Sequence, residues 1–257
     1  MTRPVVKWVG GKTQILPDVL STFPSEISGD YYEPFVGGAS VLLAVLPRCK
    51  GRVYASDLNP NLIALYKKIQ TDPETLIREL EELEKDTSEE TYYKNREEFK
   101  RNPRPDLFVY LNKVGFRGLY REGPKGFNVP YGHPKVPPKL CDPENIRAFS
   151  KAVQSVEFRH ESYEQALSRA RPEDFVYADP PYVPETRTSF TGYVRGEFDH
   201  EKFFGTLRKL KCPWVMSNSS APLVLKEFPE ARQVSARRAI HSKNPGARTM
   251  EVLVQSP

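Results

Sequence analysis

The tetrapeptide Asp179-Pro180-Pro181-Tyr182 stands directly after the apolar run Phe175-Val176-Tyr177-Ala178. Two prolines carry no backbone N–H and hold the chain stiff. The Asp179 side chain and the Pro180 carbonyl are then paired acceptors with an aromatic ring close behind. This arrangement suits an exocyclic amine on a nucleobase. Such an amine is a poor nucleophile because its lone pair is delocalised into the ring. Acceptors on both of its N–H groups favour a pyramidal nitrogen whose lone pair can meet a methyl sulfonium. Tyr182 is placed to stack on a base turned out of its duplex, as enzymes that act on bases require. The plainer reading of the same residues is a Pro-Pro turn after a strand.

Two further groups have the types and spacing for chemistry. Tyr32-Glu33-Pro34-Phe35 is followed by Val36-Gly37-Gly38-Ala39-Ser40, and Asp57 ends the next apolar run. Glycines between a strand and a helix let backbone come close to a ligand. An acid about twenty residues on is placed for ribose hydroxyls. The pattern is not G-x-G-x-x-G and offers no site for a pyrophosphate, so a nucleoside without phosphates fits better than NAD. Gly10-Gly11-Lys12-Thr13 invites a phosphate-loop reading, but that motif needs a glycine where Val6 stands. What remains is Trp8, a Gly-Gly turn and Lys12. The lysine is either a carboxylate holder, for a methionine moiety for example, or a surface residue after a turn.

The elements that would position these groups alternate. Strands are expected at residues 31–35, 53–56, 156–159, 175–178 and 214–217, and helices at 40–46, 163–170, 200–210 and 223–228. Residues 232–240 and 249–255 form a candidate antiparallel hairpin. Alternation of this kind predicts a largely parallel sheet covered by helices. Residues 59–102 have helical spacing throughout (Leu62, Leu65, Ile69; Leu76, Leu80, Leu83), and 106–114 reads as a more buried helix. Residues 115–138 lose all apolar period. Their embedded aromatics Phe116, Tyr120, Phe127 and Tyr131 argue for an ordered, functional loop rather than disorder. The expected organisation is a catalytic domain from 1–61 and 151–257, interrupted by a mostly helical insert at 62–150.

The whole chain of 257 residues has a net charge of +5. Its charge is uneven. Residues 72–90 hold nine acids against Arg78 and Lys85, whereas 112–140 hold Lys113, Arg117, Arg121, Lys125, Lys135 and Lys139 against Glu122. Residues 231–250 add Arg232, Arg237, Arg238, Lys243 and Arg248 with no acid. Two basic stretches beside an acidic one suggest a face for a polyanion. No apolar run reaches membrane-span length, and the first residues lack a signal-peptide core, so the expected place is the cytoplasm. Cys49, Cys141 and Cys212 form neither a disulfide framework nor a zinc spacing. The four histidines, His133, His160, His200 and His241, are scattered, which speaks against a metal-dependent nuclease.

In this order the motifs resemble the Dam-type DNA adenine-N6 methyltransferases over nearly the whole chain. Lys7-Trp8-Val9-Gly10-Gly11-Lys12 resembles that family's first cofactor element. Glu33 to Ser40 resembles its cofactor loop, Ser56-Asp57-Leu58-Asn59 its ribose-side turn, and Asp179 to Tyr182 its catalytic motif. Phe190-Thr191-Gly192-Tyr193 is similar to the loop beside the target base, and Ser217-Asn218 to another family pair. The resemblance implies an α/β fold of the class I methyltransferase type, Rossmann-like, with a seven-stranded mixed sheet, one strand antiparallel, and an inserted helical DNA-recognition domain.

It implies S-adenosyl-L-methionine as cofactor, contacted by Trp8, Gly11, Lys12, Asp57 and Asp179, with Glu33, Phe35, Gly37, Gly38 and Ser40 on its methionine side. The implied catalytic residues are Asp179, Pro180, Pro181 and Tyr182, and no metal is expected. Ala39 departs from the family, which often has glycine there; it should be tolerated because Gly37 and Gly38 remain.

The implied partner is double-stranded DNA. Leu111 to Arg121 and Phe127-Asn128-Val129-Pro130-Tyr131-Gly132 resemble the recognition segments. Arg121 would pair with guanine, a contact of ~1–3 kcal/mol, or else with phosphate. Phe116 would wedge into the stack, Leu119 and Pro130 would meet a thymine methyl, and Lys7 a flanking guanine. Arg117 and His133 depart from the family pattern, so flanking contacts would differ there. GATC is the expected target. The resemblance also admits a companion restriction endonuclease, a monomer or weak dimer, and a DNA-associated place in the cytoplasm, of a host if the chain is viral. Rival readings are a cytosine-N4, RNA-adenine or glutamine-amide methyltransferase, and a DNA-binding protein with an inactive methyltransferase fold.

Overall fold

The computed structural model describes residues 2–184, 198–237 and 248–257. Its main sheet draws on β1 (Tyr31–Glu33), β2 (Val53–Asp57), β5 (Val156–His160), β6 (Phe175–Ala178), β7 (Trp214–Ser219), β8 (Arg232–Arg237) and β9 (Arg248–Gln255). The other two strands, β3 (Glu122–Gly123) and β4 (Gly126–Phe127), form a separate small hairpin. The seven-stranded order is β5-β2-β1-β6-β7-β9-β8. The first five strands run parallel, while β9 is antiparallel to both neighbours. This is the mixed sheet expected from sequence. The hairpin of β8 and β9 also forms as expected, with β9 inserted between β7 and β8.

The alternation of side chains along each strand sorts the core into two faces. Tyr31, Val53, Phe175, Tyr177, Val215 and Leu253 belong to one hydrophobic cluster, and Tyr32, Val176, Ala178, Trp214, Met216 and Val252 to the other. The first face is covered by α1 (Leu16–Ser21), α2 (Ser40–Val45) and α3 (Pro60–Thr71). The second is covered by α8 (Tyr163–Leu167), α9 (His200–Lys209) and α10 (Pro222–Glu227). β1 ends two residues earlier than its apolar pattern implies. Pro34 follows it and has no N–H to continue a ladder.

The long helical stretch is three helices: α3, α4 (Pro73–Glu84) and α5 (Glu89–Arg101). The breaks are chemical. Asp72 leaves helical geometry with φ −150° and its side chain accepts from the Thr75 N–H at 3.2 Å. Ser88 caps α5 in the same way through Thr91 N–H at 3.3 Å. The next helix, α6 (Pro105–Val114), is buried on nearly every side, and α7 (Pro143–Ala152) closes the insert. The boundary expected at residue 62 falls inside α3, whose buried face meets β2 and β5. A single hydrophobic cluster runs from the sheet through α3 into α4–α7, so no break in the core marks that boundary.

Candidate active site

β1 and β6 are adjacent at the centre of the sheet, where strand order reverses direction, and ligands of open α/β sheets bind beyond the carboxyl ends of such strands. Asp179 stands one residue beyond β6. Its Oδ2 lies 2.7 Å from the Lys12 ammonium, and its Oδ1 accepts the Ser217 hydroxyl at 2.7 Å. Ser217 is itself 2.9 Å from the Tyr177 hydroxyl. Lys12 is not the surface residue that one reading allowed: it is 2% exposed, and its ammonium also donates to the Gly10 carbonyl. The Lys12 backbone N–H reaches Ser40 Oγ at 3.3 Å, so Ser40, at the start of α2, anchors the lysine's segment.

Tyr182 is held at its hydroxyl and over one face of its ring. Its hydroxyl donates to Glu251 Oε2 at 2.6 Å, and the Lys12 ammonium stands 4.9 Å from the ring centroid. The backbone after the motif is stitched to β7. The Val183 N–H donates to Asn218 Oδ1 at 3.0 Å, and the Ser219 hydroxyl donates to the Val183 carbonyl at 2.6 Å. Pro180 is buried and Pro181 half-buried, so the motif is rigid through its whole length. Glu251 was not singled out from sequence. The signal that could have found it is an acid in the otherwise apolar run Met250 to Val254.

Glu33 is 2% exposed and accepts the Tyr31 hydroxyl at 2.7 Å. Burial pushes its carboxyl up to about 8, the nearby Asp179 charge adds to this, and hydrogen bonds from Tyr31 and the Leu42 N–H oppose it. At the end of β2, Asp57 accepts from the Gly37 N–H at 3.1 Å and the Asn59 N–H at 2.9 Å. Burial raises its pKa, against those two hydrogen bonds.

The glycines are used differently from the expectation. A Cβ on Gly37 would stand 2.8 Å from the Trp8 indole, and one on Gly38 would stand 3.1 Å from Trp8 Cβ. The close approach they permit is therefore to Trp8, which also stacks on Tyr120 at 6.1 Å. The left-handed positions are Gly37 (φ 45°) and Ala39 (φ 62°), not Gly38. The remaining glycines therefore do not relieve Ala39, which carries the strain itself. Gly11 closes the turn through its N–H to the Trp8 carbonyl at 3.2 Å. Phe35 points into the second core face, 5.8 Å from Tyr163 and 5.5 Å from Phe203.

The residues expected to face DNA gather around the end of α6. Asn112 is buried and acts as a clamp. It accepts from the Lys7 N–H and donates to the Lys7 carbonyl, both at 2.8 Å, and donates to the Gly118 carbonyl at 3.0 Å. Lys7 is thereby held beside Phe116, Arg117 and Leu119. Phe116 is 41% exposed, with the Arg117 guanidinium 5.1 Å from its ring centroid. Its N–H donates to the Pro130 carbonyl at 2.9 Å, so the two recognition segments are joined. Arg121 is engaged within the protein, its Nε donating to Asn128 Oδ1 at 2.7 Å and its Nη2 to the Asn128 carbonyl at 3.2 Å. Leu119 is half-buried, and Pro130, Asn128 and His133 are exposed. Arg117 and His133 both have positive φ, at 56° and 46°. Phe190 to Tyr193, Arg238, His241 and Lys243 lie outside the described residues. Among the described residues no group of three or more His, Cys, Asp or Glu could hold a metal ion, and no helix is long and apolar enough to cross a membrane.

A parallel sheet with one reversed strand slotted in beside its edge is the class I methyltransferase arrangement, whose methyl donor is S-adenosylmethionine. The donor set suits that molecule: a strand-end acid beside the glycine loop for its sugar, and charges of both signs at Lys12 and Asp179 for its amino acid portion. The chain belongs to the D12 class N6 adenine-specific DNA methyltransferases, whose family model matches residues 8–243.

Its relatives include the type II methyltransferase M.MjaIII of Methanocaldococcus jannaschii, 37% identical over 84% of this chain and 84% of that one. The type II methyltransferase M1.LlaDCHI of Lactococcus lactis subsp. cremoris is 33% identical over 94% of this chain and 90% of that one. The DNA adenine methylase of Escherichia coli (strain K12) is 34% identical over 96% and 91%.

Proposed function

We propose that this enzyme methylates the adenine of GATC in double-stranded DNA after turning that base out of the helix. The observation that carries the reading is the Asp179 carboxylate, gripped at one oxygen by Lys12 and at the other by Ser217, each at 2.7 Å, with Tyr182 fastened alongside. S-adenosylmethionine, when bound, supplies an electrophilic methyl group on a positively charged sulfur. Trp8, Gly11, Lys12, Glu33, Gly37, Gly38, Ser40 and Asp57 would hold it at the strand ends, with Phe35 packed behind them in the core. Asp179 and the Pro180 carbonyl would accept the two N6 hydrogens and Tyr182 would stack on the purine, so that the N6 lone pair faces the methyl group the cofactor would supply; the proton that N6 must then lose already points at the Asp179 carboxylate. A carboxylate already positioned needs little reorganisation when charge develops on nitrogen.

Sequence reading belongs to the surface around Asn112. Exposed Phe116 fills the gap left by the base, as wedging side chains do. Arg121, steadied by Asn128, addresses a guanine. Leu119 and Pro130 offer apolar contact to thymine, and Lys7, Arg117 and His133 meet flanking bases or phosphates. GATC rests on the resemblance of residues 111–121 and 127–132 to recognition segments, while the relatives named DNA adenine methylase support adenine as the methylated base. We place target reading within the helical insert, 62–150, and its DNA-facing part at 105–133, because α3 is spent on the sheet. Incubating the enzyme with labelled cofactor and duplexes that vary one base of GATC at a time tests this. Label should appear on adenine of GATC alone; equal methylation of a site altered at any of those positions would refute the target.

A further inference from the structure

We infer that Glu251 is a positioning residue of the reaction, fixing the Tyr182 ring in place as the surface on which the target base comes to rest. The inference rests on the stacking role given to Tyr182 above. Glu251 lies on β9 opposite Ser219 of β7, two residues from Leu253 on the face that carries Tyr177. Its carboxylate receives the Tyr182 hydroxyl at 2.6 Å.

A charged group in a strand of apolar neighbours is costly to desolvate. Burial accordingly raises its pKa, with the Lys12 charge and the Tyr182 hydrogen bond opposing. An apolar side chain would serve packing better. What the carboxylate adds is a fixed end point for the phenol. A tyrosine has two rotatable side-chain bonds: a hydrogen bond at the hydroxyl, which lies on the ring axis, restrains the swing about the first, and Lys12 over the ring face limits the turn about the second. Lys12 stands over the same ring at 4.9 Å while its ammonium holds Asp179 at 2.7 Å. Asp179, Lys12, Tyr182 and Glu251 are thus linked in series, so the acceptor for N6 and the platform for the ring keep a common orientation. Reacting groups held to such tolerance raise rates steeply, and a loosened support lowers them.

The test uses the full chain on a GATC duplex, in single-turnover methylation and with 2-aminopurine at the target adenine. Glu251→Ala should slow transfer about tenfold, the effect of roughly 1.4 kcal/mol, with KM for S-adenosylmethionine within about twofold of wild type. Bound 2-aminopurine should be brighter than in wild type, because the quenching ring has lost its anchor. Glu251→Gln, which keeps a carbonyl acceptor, should recover most of the rate. Tyr182→Phe should lose as much as Glu251→Ala, and the double variant no more than either.

If Tyr182→Ala disables the enzyme while Glu251→Ala behaves as wild type, the positioning role is wrong and the stacking role stands. If Tyr182→Ala itself transfers methyl at the normal rate, the stacking role fails. Losses that multiply in the double variant would mean that Glu251 acts elsewhere, and would overturn the inference.

Discussion

A lysine surrendered to the interior loses its hydration, and Lys12 recovers part of that loss through the Asp179 carboxylate and the Gly10 carbonyl. Lys12→Met should therefore weaken S-adenosylmethionine binding by about two orders of magnitude, ~3 kcal/mol, because the cofactor's carboxylate would lose the cation proposed to hold it and Asp179 the group that fixes its position. Calorimetric titration reads this directly. Asp179→Ala should abolish methyl transfer while duplex binding falls only about threefold, since no DNA phosphate depends on it; retention of normal turnover would end its proposed role.

Glu33 makes a pH prediction. Its ordinary value of 4.5 is raised by burial to about 8 in the folded chain. Between those values the folded form keeps a proton that the unfolded form has released, so stability falls as pH rises through that window and levels off above it. Wild type should lose on the order of a few kcal/mol from this group between pH 5 and 8. Glu33→Gln should flatten that part of the curve, measured as thermal midpoint against pH. An unchanged slope would show that Glu33 is already ionised at low pH.

At the scale of elements, the loop from β1 to α2 carries a local conflict. Ala39 holds φ 62°, a region that L-residues enter at a cost and glycine enters freely. Ala39→Gly should therefore stabilise the protein by about 0.5–1 kcal/mol, less the entropy that glycine adds to the unfolded chain; denaturant titration decides the sign. The Asn112 clamp makes the opposite kind of prediction. Asn112→Ala removes three hydrogen bonds between Lys7, α6 and the turn at Gly118. It should weaken binding to a GATC duplex about tenfold or more, ~1.4 kcal/mol, and leave affinity for S-adenosylmethionine nearly unchanged.

What was legible in sequence follows the same division. Strands whose partners lie on both sides, such as β6, announce themselves as apolar runs, and Asp179, Asp57 and Lys12 sit in short motifs whose chemistry is local. The breaks at Asp72 and Ser88 were readable as caps but were masked by an unbroken apolar period. Glu251 was not legible, because its meaning depends on Tyr182, far away along the chain. The same is true of the fit of Trp8 against Gly37 and Gly38, which joins two segments that only the fold brings together. The side on which β9 enters the sheet was likewise invisible: a hairpin pattern specifies its own pairing and nothing about the neighbour it chooses.

For the molecule as a whole, one hydrophobic cluster threads the sheet, α3 and the helices α4–α7. Cooperative unfolding should accordingly be a single calorimetric transition, with no separate melting of residues 72–142; two resolved transitions would show that the insert is an independent unit. DNA binding should fall linearly in log–log form with salt, about 0.9 per phosphate neutralised. A flat response would argue against the basic stretch at 112–140 as the contact. The path of the chain has another outcome. Lys12 comes to the proposed reaction centre from the first elements, Asp179 from the end of β6 and Glu251 from β9, three parts that lie far apart in the sequence. A polypeptide cut between β6 and β9 would keep Asp179 but lose the Glu251 carboxylate that receives the Tyr182 hydroxyl.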